Sequence, residues 1–205
     1  MSKTITLALT GASGMGYAMR LLEILLQGGH TVYLVYSQAA QFVAKQELDL
    51  VLPARSAEAG AMLSQRYRCR EGRLHVFSRE DWMAPIASGT GAADAMVVCP
   101  CTMGALSAIA NGASDNLIER AADVMIKEGR KLILVPRETP LSAIHLENML
   151  KLSRIGVVML AANPGFYHLP ASVQEVVDFI VAKILDQLEI EHDLMAKWGE
   201  VKLPD

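Results

Sequence analysis

The sequence predicts an α/β domain of three layers, a mainly parallel sheet with helices on both faces. Three observations carry this. Ile5-Thr6-Leu7-Ala8-Leu9 and Thr31-Val32-Tyr33-Leu34-Val35 are apolar runs of strand length, separated by a segment of helical period. Thr10-Gly11-Ala12-Ser13-Gly14-Met15-Gly16 joins the first run to that segment, as in the turn of a strand–helix–strand crossover. Residues 95–100 and 131–135 are continuous apolar runs, the pattern of strands buried on both faces.

In the first unit Ala18, Leu21, Leu22, Leu25 and Leu26 share one helix face. Gly28-Gly29 ends that helix, because glycine tolerates the left-handed C-terminal position. The helix start offers free N–H groups, for which a phosphate is the natural guest. The turn narrows that guest. Gly11 and Gly16 fit the outer glycines of a dinucleotide fingerprint, but Ser13 holds the middle place, where glycine lets the backbone approach a pyrophosphate. The second strand runs into Ser37, not the acid that binds a dinucleotide ribose. NAD is disfavoured, and a mononucleotide with one phosphate, such as FMN, fits better. Ser13 reads either as a hydroxyl at the mouth of the site or as a turn serine capping the helix.

Ser37 caps a second helix reaching about Leu48, with Glu47 and Asp49 near its end reading on pattern alone as solvated acids. A helix from Ser56 carries Arg66, Arg68 and Arg70 on a solvated face, and residues 74–77 form a short strand with a structural His75. Ala87-Ser88-Gly89-Thr90-Gly91 is a second small-residue loop. The strand at 95–100 leads into Cys101-Thr102-Met103-Gly104-Ala105, which opens a helix through Ala110. Two such turns on one sheet can wall one crevice. In the helix at 116–128, Arg120 and Lys127 fall two turns apart on one face.

The strand at 131–135 runs into Pro136-Arg137-Glu138-Thr139-Pro140. Charged residues locked between prolines at a strand's carboxyl end mark a site. The fork of Arg137 suits phosphate, the alternative being a salt bridge to Glu138 or to another subunit. Ser142 caps the next helix, residues 157–160 form the last strand, and the loop Asn163-Pro164-Gly165-Phe166-Tyr167-His168-Leu169-Pro170 carries two aromatics. Ser172 caps a long final helix with Lys183 on its flank. Residues 1–189 read as one domain and 190–205 as a C-terminal arm holding Trp198.

Composition removes several classes. The net charge of −3 leaves no basic footprint for nucleic acid. No apolar run reaches the roughly 18 residues of a membrane span. The start of the chain lacks a signal-peptide cleavage pattern, and the 3 cysteines lack paired spacing, so a reducing cytoplasm is expected. No His, Cys, Asp and Glu grouping has metal spacing, so no metal is expected. Cys99 and Cys101 flank a proline and read as buried small residues.

The turn TGASG, the segments SGTGAADAMVVCPCTMGALSAIANG, NLIERAADVMIKEGRKLILVPRETP and HLENMLKL, and PGFYH occur in one order over nearly the whole chain. Together they resemble the flavin prenyltransferases of the UbiX/Pad type. That resemblance implies a Rossmann-like or flavodoxin-like fold assembled as a dodecamer. It implies metal-independent transfer of a dimethylallyl group from dimethylallyl monophosphate to N5 and then C6 of reduced FMN. It also implies a UbiD-type decarboxylase as recipient of the prenylated flavin, for example in ubiquinone synthesis.

Carried over by position, Gly11, Ala12, Ser13, Ser37, Thr102, Met103, Gly104, Ala105 and Arg137 would contact FMN. Lys127, Arg137, Tyr167 and Lys183 would hold the dimethylallyl phosphate. Ser13, Glu47 and Glu138 would handle or orient protons, and Trp198 would cover the prenyl group, from this or a neighbouring subunit. The family often has serine at Thr102, threonine at Ala105 and arginine at Lys183. Lysine keeps the charge there but loses the bidentate fork. The competing readings are a flavin-dependent decarboxylase of cysteine derivatives, a non-catalytic flavin carrier, and a simple dehydrogenase. The first lacks its P-x-M-N-x-x-M-W-like segment here, and the second has no need of four clustered phosphate ligands.

Overall fold

The structure, a computed structural model, describes residues 1–195. The strands are β1 (Thr4–Leu9), β2 (Thr31–Tyr36), β3 (Leu74–Phe77), β4 (Ala95–Cys101), β5 (Lys131–Pro136) and β6 (Val158–Met159). The helices are α1 (Met15–Gln27), α2 (Gln38–Leu48), α3 (Ser56–Tyr67), α4 (Met103–Ala110), α5 (Leu117–Lys127), α6 (Ala143–Arg154) and α7 (Val173–Leu188). The small-residue loop before β4 forms two short 3₁₀ turns, Pro85–Ala87 and Gly89–Gly91.

All six strands pair in parallel, in the order β3-β2-β1-β4-β5-β6. The winding direction reverses between β1 and β4, which opens a crevice beyond their carboxyl ends. Period-two alternation sorts the sheet into two cores. Ile5, Leu7, Leu9, Val97 and Ile133 pack with α1 and α7, where Leu21, Leu22, Ile180 and Ile184 are buried. Ala8, Val98 and Leu134 face Leu106, Ala122 and Leu152 on the helices of the other layer. The three-layer architecture expected from the sequence is therefore present. No helix among the described residues is long and apolar enough to cross a membrane.

Most helices start on the caps legible in the sequence. The side chains of Ser37, Thr102, Asn116, Ser142 and Ser172 each accept a first-turn amide. At the opposite end of the sheet, Lys3 Nζ donates to the Leu188 carbonyl and Lys131 Nζ to the Gln187 carbonyl, both at 2.6 Å, so two ammonium groups close the negative end of α7.

The α1–α7 contact contains one polar lock. Asp178 is buried, and it accepts from Arg20 Nε at 2.8 Å and from Gln174 Nε2 at 3.0 Å. Removing the cation leaves a carboxylate facing the core. Arg20→Met is expected to lower unfolding free energy by about 2–3 kcal/mol, a value discounted for the partial exposure of the arginine and measured by urea titration.

Candidate active site

Four helix N-termini point at the crevice edge, those of α1, α2, α4 and α5, because each of these helices follows a strand or a loop arriving there. Thr10 stitches the two central turns together. Its hydroxyl donates to the Pro100 carbonyl at 2.7 Å and accepts from the Thr102 amide at 2.8 Å. Thr10→Val keeps the shape and removes both bonds, stranding the part-buried Thr102 amide. The expected loss is about 2 kcal/mol by thermal or urea unfolding, with Thr10→Ser close to wild type.

Gly11 lies where the first turn meets α2. A Cβ at Gly11 would stand 2.4 Å from the Cβ of Ala39, so only glycine allows this approach. The left-handed residue of the turn is Gly14, at φ 117°. It is also the N-cap of α1, and no side chain of its own turn caps that helix. The capping role considered for Ser13 is thus not the one it has.

The cap comes instead from the end of α2. Glu47 accepts from the Gly14 amide, at 3.0 Å to Oε2, and from the Met15 amide at 2.8 Å. This corrects two expectations. Glu47 is not an idle surface acid, and a phosphate has no seat on the first turn of α1, because a carboxylate already satisfies its amides and neutralises its positive pole. Two helices at the crevice have an uncharged cap that engages a single amide: α2, where Ser37 Oγ accepts from Ala40 N at 3.1 Å, and α4, where Thr102 Oγ1 accepts from Ala105 N at 3.1 Å. The anion seat therefore moves away from α1, to the neutral-capped turns after β2 and β4, which share one cleft.

That cleft is lined by Thr10, Gly11, Ser37, Ala39, Arg79, Thr102, Ala105, Asn116, Ile118 and Glu119. Gly11, Ser37, Thr102 and Ala105 of the expected cofactor set meet in this one cleft. Ala12 and Met103 are buried through their side chains, so each offers only its backbone. The group implied by the residue pattern, a mononucleotide with one phosphate, fits what is present: a crevice at the switch point, two neutral-capped helix N-termini and hydroxylic walls.

At the mouth, Arg137 Nε donates to the Ser13 carbonyl at 3.3 Å, which joins these two expected residues directly. Glu138 does not pair with Arg137; its Oε1 accepts from the Thr139 amide at 3.2 Å. The loop after β6 starts beside β5, with Ala162 N donating to the Pro136 carbonyl at 3.0 Å. Tyr167 in that loop lies edge-on to Phe179, ring centroids 5.7 Å apart. Lys183 is one turn further along α7 from Phe179, and it pairs with Asp186 at 3.2 Å.

Lys127 is not part of this group within one chain. It ends α5, pairs with Glu128 and lies at the amino edge of the sheet, while Arg137 follows the carboxyl end of β5. The six residues of β5 separate the two by roughly 20 Å. The cause is direction: a crossover helix runs antiparallel to its strands and delivers its last residue to the edge opposite the crevice. Trp198 lies outside the described residues.

Burial pushes the Cys99 thiol well up and that of Cys101 to about 12, so neither is a nucleophile at neutral pH. Among the described residues no three His, Cys, Asp or Glu side chains gather as a metal site. Sequence reasoning missed Thr10 as the stitch between the two turns, and Arg79 on the cleft wall. Thr10 had a visible signal, since a hydroxyl at the end of a buried strand needs a partner.

Comparison with known proteins gives the family and bears out the fold. The flavoprotein family model matches residues 1–185. A flavin prenyltransferase UbiX of Pseudomonas aeruginosa is 55% identical over 97% of this chain and 95% of its own length. A dodecameric FMN-dependent UbiX-like decarboxylase of Escherichia coli O157:H7 shares the fold at TM-score 0.84, with 39% identity over 96% of this chain and 99% of that one. AnUbiX (PadA1), solved in complex with FMN and dimethylallyl pyrophosphate, superposes at TM-score 0.87 and 35% identity, covering 98% of this chain and 100% of that one. Similarity of this depth over nearly the whole length, joined to a common fold, makes this chain a member of the flavoprotein family and, within it, of the UbiX flavin prenyltransferases.

Proposed function

We propose that the chain joins the dimethylallyl group of dimethylallyl monophosphate to N5 and C6 of reduced FMN, and that the prenylated flavin passes to a UbiD-type decarboxylase. The observation that carries this reading is the crevice edge itself. Arg137 adjoins the turn before α4, its amide donating to the Cys101 carbonyl at 3.4 Å, and its Nε donates to the Ser13 carbonyl, in a chain of this family. Reduced FMN supplies the two nucleophilic positions.

The residues divide the remaining work. The first turn of α4, with Thr102, Met103, Gly104 and Ala105, holds the flavin phosphate, and Gly11, Ala12 and Ser37 form the wall. Arg137, Tyr167 and Lys183 take the phosphate of the prenyl donor. As the allylic C–O bond breaks, negative charge grows on that phosphate, and cations already in place stabilise it without rearrangement. Glu47 and Glu138 are the carboxylates that accept or orient protons, and the Ser13 hydroxyl would help to move the proton at flavin N5. Trp198 covers the prenyl fragment, whose cationic character an aromatic face stabilises.

Lys127 enters from a second copy of the chain. Its place at the opposite edge makes the site incomplete in one chain, so catalysis and assembly are linked. A homo-oligomer working in the cytoplasm, of dodecameric size as named for the Escherichia coli relative, accommodates this. Anaerobic incubation with reduced FMN and dimethylallyl monophosphate, followed by mass measurement of the bound flavin, tests the reading. A gain of one five-carbon unit supports it. An unmodified flavin, with carbon dioxide released from a cysteine peptide instead, overturns it.

A further inference from the structure

Arg79 is a cation that the reaction scheme above leaves unused. It lies in the connection after β3, and its backbone is fixed: the Leu117 amide, at the start of α5, donates to the Arg79 carbonyl at 2.7 Å. The residue lines two clefts. One is the flavin cleft with Thr10, Gly11, Ser37 and Thr102. The other is a neighbouring polar hollow with Tyr36, Gln38 and Ser78.

The guanidinium is unusual in having nothing to hold. Its Nε is buried without a hydrogen bond, and the side chain has no ion pair among the described residues. Other part-buried arginines are engaged: Arg20 with Asp178, Arg120 with the Ala87 carbonyl and Asp123, Arg73 with the Ser2 and Thr31 hydroxyls. The nearby acids are committed elsewhere. Glu119 Oε2 accepts from the Asp115 amide at 2.9 Å, and Glu80 Oε2 accepts from the Ser78 hydroxyl at 2.9 Å. A desolvated N–H without an acceptor costs free energy, and native proteins keep few of them. A ligand that brings acceptor oxygens removes the cost.

We infer that Arg79 is a further phosphate-binding residue of the flavin seat, donating from its guanidinium to the phosphate monoester that the first turn of α4 receives. The inference rests on the flavin reading given above. A charged fork beside two helix N-termini matches the geometry and the double charge of a phosphate monoester. It also gives the site a reason to prefer FMN over the unphosphorylated flavin.

The test uses the full chain freed of flavin, titrated with FMN and with riboflavin by fluorescence quenching, as wild type, Arg79→Gln and Arg79→Lys. Arg79→Gln is expected to raise the FMN Kd about 10- to 100-fold and leave the riboflavin Kd within about twofold. Arg79→Lys falls between, since it keeps the charge and loses the fork. The FMN Kd of Arg79→Gln is also expected to depend less on salt than that of wild type. An unchanged FMN Kd and salt slope in Arg79→Gln, or an equal loss for both flavins, overturns the assignment while leaving the flavin reading standing. A wild-type chain that binds neither flavin overturns the seat itself, and the assignment with it.

Discussion

Lys127→Met and Arg137→Met, each nearly inactive alone, are expected to recover activity when the two variants are co-assembled. Each substitution removes a cation from the departing phosphate and is expected to lower kcat/KM by about 10²- to 10³-fold. The two residues stand at opposite edges of one sheet, separated by the six residues of β5. If one chain lends Lys127 and another lends Arg137, random mixing gives about one site in four with both groups intact (one half times one half). Activity near that fraction after denaturation and joint refolding supports the shared site. Activity no higher than the separate variants would place both residues in the same chain's chemistry and refute the arrangement.

Glu47→Gln is expected to stall prenyl transfer while FMN still binds. The carboxylate has two tasks that substitution separates. As a cap it accepts from the Gly14 and Met15 amides, and a glutamine carbonyl retains part of that. As a proton-handling group it must ionise, which glutamine cannot do. Turnover is expected to fall about 10²-fold or more, with FMN affinity within about twofold of wild type. Glu47→Ala loses both tasks, and unfolding free energy is expected to fall by about 1–2 kcal/mol as well. Rapid-quench measurement of prenylated flavin checks the first effect and chemical denaturation the second. Wild-type turnover in Glu47→Gln would leave Glu47 as a cap only.

The elements were legible because their signals are local. Apolar runs placed all six strands within about a residue of their ends, and serines at 37, 142 and 172 announced the helices they cap. The last strand is shorter than its apolar run, Val158–Met159 within 157–160, because it pairs on one side only, with β5. The place of Arg137 at the crevice mouth was legible too, since it follows the carboxyl end of a buried strand.

What stayed hidden depends on contacts between distant parts of the chain. The α1 cap comes from Glu47, 33 positions beyond Gly14, and no helix-start rule looks that far. Arg79 sits in a loop without periodicity, and only the cleft reveals that it is unpartnered. The position of Lys127 was recoverable by following chain direction. Residues that close a crossover helix land beside the start of the next strand, whichever family motif they belong to.

The ammonium groups of Lys3 and Lys131 on the last carbonyls of α7 have a bearing on product departure. Those two charges blunt the negative end of α7, while the neutral side-chain caps of α2, α4 and α5 leave positive helix poles at the crevice edge, where they favour anions. Two phosphoesters are drawn in by them, yet only one leaves as an ester. The orthophosphate set free must work against the same attraction, so its escape, rather than carbon–nitrogen bond formation, becomes the step that added phosphate slows.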